Sequence, residues 1–206
     1  MNRLAFFFAR LLRREGYFQA ASRPEAEVLA PLKGKRVALV GNARALAEAD
    51  HGAAIDGADV VVRLNGAPMP AAHSHGTRTD WLAVAFIRLY DPLWQRLGRP
   101  RLLWISPKLH RLTWTVARQP DFYRYPVARY RQIKAELGPG PSTGLMVIDL
   151  LSRSDLAELR IYGFDFFASH TLSNDRPLDQ IGHDGGGEAA WAARLFARDP
   201  RIIHVK

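Results

Sequence analysis

The sequence predicts an α/β fold, a mostly parallel central sheet flanked by helices in the Rossmann-like manner, and three observations predict it. Apolar runs of four to six residues recur at positions 37–40, 59–64, 81–85 and 101–106. A continuous run rich in β-branched residues and bounded by turn residues fits a parallel strand covered on both faces. The first two runs are each followed by an Asn, Asn42 and Asn65, so two strand C-ends tipped by an amide are expected side by side. Helix-forming or capped stretches stand between or after the runs, as at residues 43–49 and 142–152.

With 206 residues, the chain is expected to form one core-bearing domain over residues 35–206, preceded by a basic amphipathic helix and linker over residues 1–34. A hydrophobic share of 48% with 24% charged residues is that of a soluble globular protein. There is no Cys, which excludes a disulfide framework, a thiolate nucleophile and a thiolate metal site, and agrees with a reducing, cytoplasmic setting. The net charge of +9 invites an anionic partner. Its arginines are spread along the chain without a nucleic-acid-binding signature, so no nucleic-acid partner is expected.

Residues 4–18 mix Phe and Leu with Arg10, Arg13 and Arg14. The uninterrupted apolar part ends at Ala9, far short of the about 20 residues that span a bilayer. No small-residue cleavage site follows a long apolar core, so a signal peptide is not expected. The segment reads as a basic amphipathic helix that either lies on the inner membrane face as a peripheral contact or packs its Phe face on the domain. Residues 20–35, with Pro24, Pro31 and Gly34, read as a linker.

The stretch 36–68 organises the rest. Gly41-Asn42 stops the first strand, and Asn65, Gly66 and Pro68 end the second. An Asn amide offers two donors and an acceptor, suited to a ribose hydroxyl, a phosphate or a pyrimidine edge at the sheet edge where open α/β folds bind ligands. The alternative is that both Asn terminate strands by bonding local backbone. Neither G-x-G-x-x-G nor G-x-x-x-x-G-K-[ST] is present. Residues 69–76 read as a loop with His73 and His75 exposed rather than metal-bound. Residues 107–117 read as helical, and the Trp residues of the Arg- and aromatic-rich stretch 91–138 as core. After the rigid 138–141 break, Ser142 is a good N-cap for an apolar helix, whose start with Thr143 and Gly144 presents backbone N–H groups to an anion or simply caps a core helix. Residues 159–163 and 201–205 read as strands, and a helix follows the His183–Gly187 turn with Trp191, Leu195 and Phe196 on one face.

The pattern Val40-Gly41-Asn42, Ile55-Asp56 and Val62-Arg63-Leu64-Asn65-Gly66-Ala67-Pro68 resembles the large sialylmotif of the family 29 sialyltransferases. Pro141-Ser142-Thr143-Gly144-Leu145 with Tyr162-Gly163-Phe164 resembles the small sialylmotif, His170 stands where the third motif has a His, and His183 with Glu188 matches H-x-x-x-x-E. Together these cover roughly residues 36–85 and 139–192, about half of the chain. The Cys that each of the large and small motifs carries in secretory-pathway members is missing; Val37 stands at the first of those positions. The resemblance is to a small bacterial-type member, with a GT-A-like variant of the Rossmann fold.

What the resemblance implies is inverting transfer of sialic acid, or a related 2-keto sugar, from a CMP donor to a glycan or glycolipid hydroxyl. It assigns catalysis to His183, His170 and Glu188, and donor binding to Asn42, Asn65, Ser142, Thr143, Gly144, Gly163 and Phe164. A neutral imidazole, with a reference pKa of about 6.5, can accept a hydroxyl proton. The chain has no D-x-D pair, and no metal and no cofactor beyond the CMP-sugar substrate are expected. CMP-sialic acid and CMP-Kdo share cytidine, phosphate and C1 carboxylate, so both donors stay open, as does a non-catalytic nucleotide-binding protein of the same fold.

Overall fold

The structure is a computed structural model that describes residues 2–85, 90–166, 172 and 183–205. Three helices lead: α1 (Arg3–Leu11), α2 (Glu15–Ala21) and α3 (Glu25–Leu29). Then come β1 (Arg36–Val40), α4 (Gly52–Asp56), β2 (Val60–Leu64), α5 (Ala72–His75), β3 (Trp81–Val84), α6 (Tyr90–Arg96) and β4 (Arg101–Trp104). The second half holds α7 (Trp114–Ala117), β5 (Tyr123–Arg124), α8 (Val127–Leu137), α9 (Thr143–Ser152), β6 (Glu158–Tyr162), α10 (Gly185–Arg198) and β7 (Ile202–His204).

The strands form one open sheet in the order β5-β4-β3-β2-β1-β6-β7, and each neighbouring pair runs parallel. All described residues of β1 and β2 after the first are buried, as a strand sandwiched between two helical layers requires. One face packs Val37, Leu39, Val62, Leu64, Ala83, Leu159 and Ile161 under α9 and α3. The opposite face packs Ala38, Val40 and Val61 under Ile55 of α4, and Leu82, Val84, Leu102 and Trp104 under α1, α2 and α7.

The chain moves outward from β1 to β5, then returns to pair β6 on the other edge of β1, so the strand order reverses there. Val40 is opposite Arg63 on one side and Tyr162 on the other. Two residues beyond each lie Asn42, Asn65 and Phe164, which therefore leave the sheet at one level. That is the edge at which doubly wound sheets bind ligands.

Several local expectations change. The stretch read as a linker holds α3 and a 3₁₀ turn over Ala30–Leu32, with Val28 and Leu32 fully buried, because Val28, Leu29 and Leu32 cover the sheet's α9 face. Residues 43–49 form a 3₁₀ turn (Arg44–Glu48) rather than an α-helix. Residues 107–117 contain only a 3₁₀ turn (Leu109–Arg111) and the single turn of α7. Within the expected loop at 69–76, α5 carries His75 into the interior, its Nδ1 2.8 Å from Ser74 Oγ, while His73 stays exposed. Burial, with the Arg63 charge nearby, holds His75 below the ordinary imidazole pKa. Trp104 is core, as expected, and Trp94 and Trp114 are partly buried against the same cluster. The segment 4–18 is two helices broken at Arg13, whose φ is +50°; Phe6 and Phe18 pack on the domain.

Candidate functional site

β1 and β6 approach so closely at their C-ends that the residue after β1 must lack a side chain. Gly41 N–H donates to Tyr162 O (2.8 Å) and Ala43 N–H to Gly163 O (3.0 Å). A Cβ on Gly41 would collide with the Gly163 carbonyl oxygen and come within 2.7 Å of the Phe164 ring. Gly163 turns the chain with φ +65°, the left-handed region that favours glycine. This sends Phe164 toward α9, where a Cβ on Gly144 would also lie 2.7 Å from its ring. Phe164 is thus wedged between the β1 turn and the start of α9.

Asn65 adopts φ +49°, which Asn tolerates better than most residues. Its N–H donates to Ala83 O (2.8 Å), and its Oδ1 accepts the Ala85 N–H (3.0 Å). The acceptor half of this amide therefore ends strands, as the backbone-terminating alternative expects; Nδ2 has no hydrogen-bond partner among the described residues. Asn42 Nδ2 reaches Leu64 O across the β1–β2 gap at 3.5 Å, and its carbonyl accepts the Leu172 N–H (2.7 Å). The two Asn are neighbours, as their spacing predicts.

The other half of the site is built on α9 and α10. Ser142 caps α9, its Oγ accepting the Leu145 N–H at 3.2 Å. Its own N–H and O–H donate to Glu188 Oε1 and Oε2, each at 2.6 Å. Asp184 caps α10 by accepting the Gly187 N–H at 2.9 Å, which puts Glu188 in the first turn of that helix. Glu188 is 2% exposed, and burial pushes its carboxyl above the ordinary range against the opposing pull of the Ser142 donors and His183. His183 Nδ1 lies 2.8 Å from Gly140 O and 4.0 Å from Glu188 Oε1, with the side chain 37% exposed. A carbonyl only accepts, so Nδ1 carries the proton and a neutral ring has its lone pair on Nε2. Thr143 is half-buried at the first helical position of α9. His170 lies outside the described residues.

Three groupings result: Asn42 with Asn65, Gly163 and Phe164 against Gly144, and Ser142 with Glu188 and His183. Other motif residues serve as frame. The Asp56 carboxylate accepts the Thr77 and Arg78 N–H groups (2.8 and 3.0 Å), and buried Arg63 donates to Arg78 O (2.8 Å) and His75 O (2.6 Å). Sequence reasoning missed the Gly140 carbonyl as the partner of His183 and the Ser142–Glu188 pair. Glu188 had the local signal of an acidic residue in a first helical turn, which does not reveal a partner 46 residues away. On the flank, a pocket of about 330 Å³ opens between Ala43–Ala49 and His204–Val205, with Gly163 and Phe164 as a shared wall. Among the described residues, no group of three His, Cys, Asp or Glu is placed to hold a metal ion, and no helix is long and apolar enough to cross a membrane.

A family model matches residues 12–86, the stretch from the residue after α1 to just beyond β3 that holds Asn42 and Asn65. The match is to glycosyltransferase family 29 (sialyltransferase). The matched range holds the residues of the large motif, while Ser142, Gly163, Phe164, His183 and Glu188 lie beyond it. Solved sialyltransferases share the fold. A mammalian sialyltransferase is 22% identical over 84% of this chain and 69% of its own, with a TM-score of 0.62. A mammalian sialyltransferase in complex with Gal-beta-1-3GalNAc-ortho-nitrophenol is 19% identical over 100% of this chain and 87% of its own, at 0.60. The Campylobacter jejuni sialyltransferase CstII, in complex with the substrate analogue CMP-3FNeuAc, is 14% identical over 82% and 81%, at 0.58. No curated protein sequence matches the chain. The open parallel sheet flanked by helices is therefore the α/β fold of the sialyltransferases, as the sequence predicts.

Proposed function

We propose that this chain is an inverting sialyltransferase that moves a 2-keto sugar from a CMP donor to a glycan hydroxyl, with His183 as general base. The observation that carries the reading is the His183 Nδ1–H···O=C bond to Gly140, just before the α9 cap, which fixes the tautomer a base needs. Nε2 takes the acceptor proton as the acceptor oxygen attacks the anomeric carbon of the donor. The bond from that carbon to the phosphate oxygen breaks with inversion, and CMP leaves with the electron pair. Glu188 acts through Ser142: it holds the start of α9, whose Thr143 and Gly144 N–H groups face the donor phosphate in this reading. Asn65 Nδ2 and Asn42 bind the nucleotide, Gly163 and Phe164 shape its seat, and His170 balances charge on the departing phosphate. The departing monophosphate needs no metal in this scheme. CMP-sialic acid is the donor the family name favours, and the shared cytidine, phosphate and carboxylate keep CMP-Kdo as the second.

The experiment is calorimetry with CMP in EDTA, followed by donor hydrolysis. CMP should bind without metal, and UMP more weakly by about 1–3 kcal/mol, because one polar group matched to the cytosine amino group is left unpaired. His183→Ala should keep CMP affinity within a few-fold and lower transfer or hydrolysis by about 10²–10⁴. Binding that requires Mg²⁺ or Mn²⁺ overturns the metal-free scheme. Turnover of neither CMP-sialic acid nor CMP-Kdo, with CMP still bound, leaves a nucleotide-binding protein without transferase activity.

A further inference from the structure

α1 has two apolar faces, and the domain uses only one. Phe6 and Ala9 point inward; Phe6 rests edge-on against Phe18 and Trp114 at ring-centroid distances of 5.7 and 5.5 Å. Arg10 Nη1 donates to Leu112 O at 3.1 Å, which fastens the helix from its side. The outward face carries Leu4, Phe8, Leu11 and Leu12, exposed by 69, 62, 76 and 58%. Their spacing of i, i+4, i+7 and i+8 makes one stripe on a helix. Soluble proteins rarely leave so continuous an apolar patch in water without a use for it.

The charges around the stripe say what covers it. Arg3, Arg13 and Arg14 are exposed, Arg10 is half-exposed, and residues 2–14 contain no Asp or Glu. The first acidic residue, Glu15, is committed to the buried Arg124 at 2.6 Å. Arg3 and Arg10 also lie over the Phe7 ring at 5.9 and 5.3 Å, so the cations stand beside the apolar side chains rather than on an opposite face. We propose that residues 3–14 lie on an anionic phospholipid surface, with Leu4, Phe8, Leu11 and Leu12 in the acyl boundary and the arginines at the headgroups. A protein partner would have to offer an apolar groove rimmed by carboxylates, whereas an anionic leaflet supplies both chemistries at once. The helix itself is anchored through Phe6 and Ala9 in the core cluster that also holds Leu82, Val84 and Trp104.

The test is flotation of the full chain with vesicles, which reads lipid binding and needs no donor or turnover. Vesicles with about one quarter phosphatidylglycerol should carry the protein, and pure phosphatidylcholine should carry far less, since each basic residue near an anionic surface contributes roughly fivefold in affinity. Arg13→Gln with Arg14→Gln should therefore weaken binding by about 25-fold, and raising the salt should weaken the wild type toward the same level. Phe8→Ser with Leu11→Ser should weaken it at least about tenfold. All four side chains are exposed, so both variants should melt like the wild type, and circular dichroism checks that they are folded. Absence of flotation with anionic vesicles overturns the proposal, as does flotation that neither pair of substitutions reduces. A dimer in sedimentation velocity that Phe8→Ser with Leu11→Ser turns into a monomer, without vesicle binding, assigns the stripe to a second copy instead.

Discussion

Glu188→Gln tests the joint on which the second half of the site depends. In the wild type both carboxylate oxygens are used, one by the Ser142 N–H and one by the Ser142 hydroxyl, at 2.6 Å each. Gln keeps the shape but offers one acceptor, so one of the two bonds is lost or must turn around. A buried hydrogen bond to a charged group contributes about 1.5–3 kcal/mol. Against that stands the cost of burying the carboxylate, which the amide avoids and which is what raises the Glu188 pKa. The Ser hydroxyl can also accept from the amide, which recovers part of the loss. A net destabilisation of about 1–2 kcal/mol follows, or roughly 2–8 °C in Tm for a chain of this length. The sign of its pH dependence comes from the raised pKa. Between the unfolded value, near 4.5, and the higher folded value, the folded state binds the extra proton. Stability from this group is therefore present at low pH and is lost as pH rises through the folded pKa. Gln does not titrate, so the Tm gap between wild type and variant should narrow from pH 5 toward pH 8. CMP affinity should fall with the loosened α9 start while His183 remains in place. Equal Tm values at both pH values, with unchanged CMP affinity, would refute the reasoning that Glu188 holds Ser142.

The remaining predictions concern the sheet edge. Gly41→Ala should be far more damaging than Gly144→Ala, because the first Cβ meets the Gly163 backbone carbonyl as well as the Phe164 ring, while the second meets side chains alone. Overpacking of the Gly144 kind costs about 1–3 kcal/mol, and Gly41→Ala should exceed that or prevent soluble expression, as thermal melts would show. A Gly41→Ala protein that melts like the wild type would contradict the close β1–β6 approach. Asn65→Ala loses the bond to Ala85 and puts Ala in a left-handed backbone, about 2 kcal/mol in sum; calorimetry should also find weaker CMP binding per folded molecule. Unchanged affinity in the folded fraction would leave Asn65 as a strand terminator alone.

The parts of this fold that were legible in the sequence are those whose causes are local. β1 and β2 announce themselves because buried parallel strands need unbroken apolar runs, and Asn42 and Asn65 follow once the runs are aligned, since a register with Val40 opposite Arg63 sets them level. Ser142 as a cap needs only its own helix, and the structure gives α9 the start and the end that the sequence predicts. Where tertiary packing decides, the reading failed. Residues 20–35 carry two prolines and a glycine, the composition of a linker, yet Val28 and Leu32 are buried because they pack into the core on the α9 face of the sheet. His75 looked like a loop histidine until α5 turned it under Arg63. Glu188 is the most instructive residue. Favourable placement at a helix N-terminus is a sufficient local reason for an acidic residue there, worth under about 1 kcal/mol on an exposed surface. That reason does not require burial, and a 2% exposed carboxylate needs donors that a single helix end cannot supply from its own side chains. The donors come from Ser142, and so α9 and α10, the helix that follows the His183 turn, are held together by one carboxylate. A sequence reading that treats the motifs one at a time has no means of finding a residue whose role is to join two of them.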